Sequence, residues 1–550
     1  MPGQGFNQSM DRRAIPQSQI PHTSRLFQDY LYDYPRVSEF YPLPPFEPAS
    51  FAKAAESLRY PDELRQAVVS VLRERNEALA AGPATMHSLE RLAKPGCCAV
   101  VTGQQVGLFT GPAFAIYKAL TAVKLACTLS DQGLEAVPIF WLATEDHDLA
   151  EVNHCFVQDR EGIPRRLEYS SPAPVPHAAA GSLMLAEEIR SLTDLVRSLL
   201  PETPAGAELA GLVSECYRPG VSLGAAFGSM MTRLFRVHGV VLVDPLDARL
   251  HQLSASVFRE AAESAPAIAA DLLECNRRLT DRGYHAQVRV TENHSVLFLY
   301  EDGQRTALRM EDGGFVSSLG HSYKPQELLA MLEENPSLFS PNVLLRPVMQ
   351  DALLPTVAYV GGPSELAYLA QATPLYDRIL GRMPVLFPRA SVTVLDPVSN
   401  RLLGKYGLSL TDVFAGRQVL REKMAARFLP EGLTGLFEKA ASNLNADMDA
   451  IKKSLEQLDP TLVDASSHSV QKMQYQLSNL ERKAAAAVQH RSDQVEKDAV
   501  RLENNLYPEK MLQERLYSGI SLLARFGLPL LDQLYEQIPL DSGDHQVVVP

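Results

Sequence analysis

The apolar positions of the chain fall into distinct regimes. Two short apolar runs, CCAVVTG (97–103) and VPIFWLA (137–143), flank AFAIYKALTAVKLACTLSDQG, whose spacing is helical. Runs of this length bounded by turn residues predict buried strands. Strand, loop, helix and strand in that order predict one βαβ unit of a parallel sheet. Pro is favoured at the first helical position, so Gly111-Pro112 predicts a helix start near 111–114. GVVLVDP (239–245) and MPVLFPRAS (383–391) predict two further strands. Residues 344–371, LLRPVMQDALLPTVAYVGGPSELAYLAQ, predict sheet that returns to a helix at the GGP turn. Alternation over 286–300 and 305–315 predicts a small antiparallel insertion. Residues 158–180 are polar and Pro-rich, as in a loop. Residues 1–50, rich in Pro, Tyr and Phe, predict an extended arm.

The character changes near residue 436. Leu444, Met448, Ile451, Leu455, Leu458 and Leu462 alternate spacings of four and three, a heptad stripe. Asp459-Pro460 breaks it, and Val470, Met473, Leu477, Leu480 and Ala484 form a second stripe. Two stripes with a short break predict an antiparallel helical hairpin. At about 1.5 Å per residue its second helix would reach roughly 50 Å. So long a seam pairs with itself or with another subunit. The organisation read from these regimes is a core over 1–390 with insertions at about 158–230 and 284–330. A helical coiled-coil domain follows over 391–515, and 516–550 returns to the core.

Composition narrows the class. The 550 residues are 46% hydrophobic and 21% charged, a globular balance that excludes a wholly disordered or collagen-like chain. The net charge of −13 argues against general nucleic-acid binding, which needs clustered Lys and Arg. No apolar run approaches the ~20 residues needed to span a bilayer. The first residues lack a signal-like apolar stretch, so a cytoplasmic location is expected. Six cysteines without a C-x-x-C pair predict no disulfide framework and no structural zinc.

Ligands of parallel sheets sit outside the carboxyl ends of the strands. Two polar segments fall there. In TGQQVGLFTGPAFAIYK the candidate contacts are Thr102, Gly103, Gln104, Gln105, Gly107, Thr110, Gly111 and Tyr117. Small residues allow close backbone approach, and a helix start offers free N–H groups to an anion. The glycines fit neither the P-loop nor G-x-G-x-x-G. In TEDHDLAEVNH, carboxylates and imidazoles crowd together, and Asp146, His147 and Asp148 are the candidate catalytic groups. Glu145, Asn153 and His154 are candidate substrate contacts. On a helix, His147 and His154 would lie two turns apart on one face. A third group, Arg346, Gln350, Asp351, Tyr359, Gly361, Gly362 and Glu365, surrounds the GGP turn. There Arg346 offers a fork for a carboxylate or phosphate. No metal site is expected.

The strings VVTGQQVGLFTGPAFAIYKALTAVKLA, VPIFWLATEDHDLAEVNH, NVLLRPVMQDALLPTVAYVGGPSELAYLAQ and MPVLFPR, with LYPEKMLQERLYSG near the end, resemble the BshC family. The resemblance spans nearly the whole chain. It implies an α/β fold: a Rossmann-like parallel-sheet core, like that of nucleotidyltransferases and class I synthetases. Inserted connecting elements and a long antiparallel coiled-coil domain complete it. It implies a ligase that joins L-cysteine to glucosaminyl malate by an amide bond, the last step of bacillithiol biosynthesis. A homodimer is implied, with neither nucleic acid nor membrane as partner. Amide formation from a free carboxylate is uphill, so ATP or another nucleotide is the implied activator, with its product left open. The synthetases' His-x-Gly-His signature is absent; GLFTGP fills its slot. Two alternatives remain at this stage: a nucleotidyltransferase-like enzyme on another small acid or amine, and a non-enzymatic coiled-coil scaffold.

Overall fold

In a computed structural model, residues 13–172, 177–427, 432–489 and 493–550 are described. The first dozen residues, on which the reading of the amino-terminal end rests, lie outside them. The described chain divides into two compact units, one ending at Val394 and resuming at Glu514, the other running from Leu395 to Gln513.

The first unit is built on a five-stranded parallel sheet. Its strands are β1 (Cys98–Gln105), β2 (Ala136–Ala143), β3 (Val241–Val243), β4 (Thr356–Gly361) and β5 (Val385–Pro388), in the spatial order β5-β4-β1-β2-β3. All five strands lie in apolar runs read from the sequence; β1 and β2 pair in parallel from Cys98–Ala136 to Gln105–Ala143. They are buried on both faces, as covered parallel sheets are. Helix α1 (Phe114–Asp131) connects β1 to β2, and helix α2 (Pro363–Ile379) follows β4. The sheet order reverses around β1, so the carboxyl ends of β1 and β4 flank a crevice.

Several local expectations change. The run 344–353 is largely helical (Arg346–Leu353), because its apolar side chains recur at helical spacing before Pro355. The expected loop at 158–180 includes part of an antiparallel hairpin, His154–Gln158 paired with Pro164–Glu168. The expected arm contains a helix, Arg25–Tyr32, capped by Ser24. The antiparallel insertion is present as His294–Glu301, Gln304–Glu311, Gly314–Ser317 and Ser322–Tyr323, joined by Phe339–Pro341; 286–293 is not a strand. The segment after β2 is a turn, a four-residue helix (Leu149–Val152) and then a strand from His154. His147 and His154 therefore share no helical face.

The second unit is helical. Helices α3 (Leu433–Leu458) and α4 (Leu462–Gln489) form the expected antiparallel hairpin, with Gln474 donating to Asn445 across it at 2.7 Å. Helix α5 (Asp493–Leu506) buries Val495, Ala499, Leu502 and Leu506.

Candidate active site

A cavity of about 720 Å³ opens outside the carboxyl ends of β1, β2 and β4, roofed in part by the antiparallel sheet. Gly103 forms part of its wall. A Cβ there would stand 2.9 Å from the Trp141 carbonyl oxygen, so only glycine keeps β1 this close to β2.

One end of the cavity is cationic. Lys118, on α1, spends its three N–H bonds on the Gly103 carbonyl (2.8 Å), Gln104 Oε1 (2.8 Å) and the Glu365 carboxylate. Burial pushes its pKa down to about 8, against the pull of Glu365. Glu365 also accepts from Tyr359 Oη (2.7 Å) and from the Gly362 N–H (2.8 Å), capping α2. Burial raises its pKa, but Lys118 and these donors hold it below the usual carboxylate range. Arg346 donates to Tyr368 Oη at 2.6 Å. Arg389, immediately after β5, is buried and pairs with Glu514 at 2.7 Å. Arg515 lies beside it on the cavity wall, exposed, with no ion pair among the described residues. Although the side chain reaches solvent, desolvation of its guanidinium and then Arg389 lower its pKa against the pull of Glu514, so an anion there would be welcome.

The other end is acidic. Glu145 leaves β2 and meets His251 Nε2 at 3.0 Å, both side chains buried. Burial lowers the His251 pKa, but Glu145 more than offsets this and the net shift is upward. Asp146 Oδ2 accepts from Gln105 Nε2 at 2.6 Å, and the same amide group donates to Glu151 at 2.8 Å. His147 Nδ1 lies 3.1 Å from Arg305 Nη1. Burial first, then Arg305, lowers the His147 pKa, opposed by Asp146 and Asp148. His294 accepts from the Asn342 amide at 3.1 Å, whose oxygen is committed to the N–H groups of Leu344 and Leu345.

The cavity thus gathers Gly103, Gln104, Gln105, Glu145, Asp146 and His147 with Arg346, Tyr359, Gly362 and Glu365. The other sequence candidates stand elsewhere. Thr102 Oγ1 ties β1 to β4 through the Val360 carbonyl at 2.8 Å. Gly107 and Gly111 pack on each other, and Thr110 is buried beside Ser518. The expected anion site at the start of α1 is filled by the chain itself, since the Ala113 N–H donates to the Tyr517 carbonyl at 2.8 Å. Tyr117 is buried among core side chains. Asp148 caps the short helix at the Glu151 N–H, 3.3 Å away. Asn153 donates to Glu168 and His154 bonds the Ala150 carbonyl, both outside the cavity lining. Gln350 and Asp351 form a buried pair closed by Tyr376 Oη at 2.6 Å. Gly361 lies in β4 against Leu366.

Sequence reasoning missed Arg389, Arg515, Arg305, His294 and His251. Arg389 carried a signal: it directly follows an apolar run, at the strand edge where ligands gather. The others come from distant segments with no local pattern.

Residues 10–390 match the family profile described as the N-terminal Rossmann-like domain of bacillithiol biosynthesis BshC, and residues 392–549 match its C-terminal coiled-coil domain. The chain belongs to the BshC family. A relative from Solibacter usitatus, named "Putative cysteine ligase BshC", is 42% identical over 98% of this chain and 99% of its own. Relatives of the same name from Koribacter versatilis and Salinibacter ruber are 40% and 35% identical, each over 95% of this chain and 97% and 96% of theirs. Among solved structures, the methionyl-tRNA synthetase of Mycobacterium tuberculosis bound by methionyl-adenylate covers 82% of this chain and 96% of its own. That likeness has 10% identity and a TM-score of 0.24, too low to carry an argument. The Rossmann-like core and the helical domain expected of a BshC-family chain are both present. Among the described residues no three His, Cys, Asp or Glu side chains converge as a metal-binding group, and no helix is long and apolar enough to cross a membrane.

Proposed function

We propose that this chain is a cytoplasmic ligase that joins the carboxyl group of L-cysteine to the amine of glucosaminyl malate, forming bacillithiol. The observation that carries this reading is one cavity with opposite charges at its two ends, in a chain whose near full-length relatives bear the cysteine ligase name. Such a cavity suits two substrates that together bring amines and carboxylates.

At the acidic end, Asp146 holds an ammonium group and takes the proton that the attacking amine sheds. Gln105 fixes the rotamer of Asp146 for this task. At the cationic end, Arg346 receives a malate carboxylate. Arg515, unpaired on the wall, and Arg389 fit the phosphates of ATP or another nucleotide, which on binding supplies the activation of the carboxyl group. Lys118 is fully engaged within the protein and shapes this end through Gln104 and Glu365. Trp141 and Phe298 add apolar surface that keeps water from the activated carboxyl.

We also infer a homodimer that uses the hairpin. Leu436, Leu458 and Leu480 are 64%, 77% and 58% exposed there, which supports a partner surface.

Deleting the gene in a bacillithiol-producing host tests the reaction. Loss of bacillithiol with accumulation of glucosaminyl malate, read by mass spectrometry, is the expected result. Unchanged bacillithiol would remove the assignment.

A further inference from the structure

We infer that Arg305 is a positioning residue that holds His147 as the tautomer protonated on Nε2, so that His147 serves the reaction as a hydrogen-bond donor and not as its base. The tautomer follows from the chemistry of the contact. A guanidinium group has donors and no acceptor. Arg305 Nη1 stands 3.1 Å from His147 Nδ1, so Nδ1 must present its lone pair. In a neutral ring the proton then sits on Nε2.

Arg305 is itself immobilised. Its Nε donates to Ser340 Oγ at 2.9 Å and its Nη2 to the Pro341 carbonyl at 2.7 Å. The guanidinium lies 3.9 Å from the centre of the Phe298 ring, and the residue is 8% exposed. It cannot swing away to offer Nδ1 to another partner without losing these contacts.

The ring is also kept neutral. The groups facing it are Arg305 from the antiparallel sheet, His177 from the loop before Ala180, and Asp146 and Asp148 from its own segment. A second proton would point at a cation. Burial and Arg305 disfavour it more than the two carboxylates favour it. Nε2, one ring carbon removed from Nδ1, has no hydrogen-bond partner among the described residues, and His147 lines the cavity.

The inference rests on the acyl-transfer reading above for its chemical role. The amine lone pair attacks the activated carboxyl carbon, and the C–N bond forms as the C=O pair moves onto oxygen. That oxygen accepts from His147 Nε2–H, and the proton stays on the ring. Asp146 takes the proton from the nitrogen. The C=O bond would re-form as the bond from the carboxyl carbon to its activating group breaks, and the electron pair would depart with that group. Removing one such donor usually lowers kcat by ~10²–10³.

The test is long-range ¹H–¹⁵N spectroscopy of the full chain labelled with ¹⁵N-histidine, without substrates at pH 7.5, with His147→Asn to assign the signal. His147 is expected neutral and protonated on Nε2, titrating below 6.5. Arg305→Met should mix the tautomers, raise that titration and lower kcat about a few-fold, in step with the lost Nε2–H fraction, with KM little changed. Arg305→Lys, which keeps a donor, should retain the Nε2–H form and recover part of the rate. An Nδ1–H or imidazolium ring in the unaltered protein overturns the inference, whatever the variants do. A correct tautomer in a protein that makes no bacillithiol would overturn the ligase reading and leave the tautomer standing.

Discussion

Arg389 donates to Glu514 at 2.7 Å, tying the end of β5 to a residue 125 positions further along the chain. Glu514 also accepts from the Val392 N–H at 2.8 Å and from Ser391 Oγ at 3.0 Å. Burial raises the Glu514 pKa, but Arg389 and these donors hold it below the usual range. This pair sets Arg389 and its neighbour Arg515 on the cavity wall. Glu514→Ala strands a buried guanidinium and should cost about 3–5 kcal/mol in urea denaturation. A loss under 1 kcal/mol would show the contact to be dispensable.

Beside this pair, His545 is fully buried between Ser391 Oγ (2.7 Å) and Thr393 Oγ1 (2.8 Å). Burial, with help from Arg389, pushes its pKa down to about 4 against the pull of Glu514. The unfolded chain, with an ordinary histidine, binds this proton more readily. Stability is therefore complete above about 6.5 and falls as pH drops through 4, by about 3 kcal/mol from this group. Denaturation midpoints measured from pH 4 to 7 should show that slope. In His545→Gln the slope should flatten, and an equally steep one would assign the acid sensitivity to other groups.

Asp146 and Arg515 are expected to affect the reaction differently. Asp146→Asn keeps the size of the side chain, gives up one of the two acceptors used by Gln105 and the Asp148 N–H, and cannot take a proton, so kcat should fall by ~10²–10⁴. Arg515→Gln removes an unpaired charge and should mainly raise KM for an anionic substrate. Steady-state kinetics separate the two. Full activity in Asp146→Asn would move the base to another carboxylate.

The exposed leucines of the hairpin bear on assembly. Leu458→Glu with Leu480→Glu should shift a dimer to monomers in analytical ultracentrifugation, leaving the sheet unit folded. An unchanged sedimentation coefficient would place the dimer contact elsewhere.

The sequence showed the fold more clearly than the site. Buried strands such as VPIFWLA announce themselves because burial on both faces demands an unbroken apolar run, and the stripe at Leu444–Leu462 because a helix–helix seam repeats every three to four residues. The reading went astray where a short polar segment lacked a period. His147 and His154 fell in a turn and a strand, not on one helix. Thr110 and Gly111 looked like a free anion cradle, yet the 517–519 segment covers them, a contact between distant parts of the chain. Arg305 and Arg515 reach the cavity through tertiary folding alone. Conversely, Asp146, Gln105 and Glu365 were legible because strand ends in a parallel sheet converge.

The most direct measurement is complementation. The chain is expressed in a bacillithiol-producing strain that lacks its own BshC-family gene, and low-molecular-weight thiols are measured by mass spectrometry. The unaltered chain should restore bacillithiol and deplete glucosaminyl malate, and Asp146→Asn at equal protein level should not. Persistent glucosaminyl malate and no bacillithiol, with the unaltered protein present and folded, would contradict the ligase account.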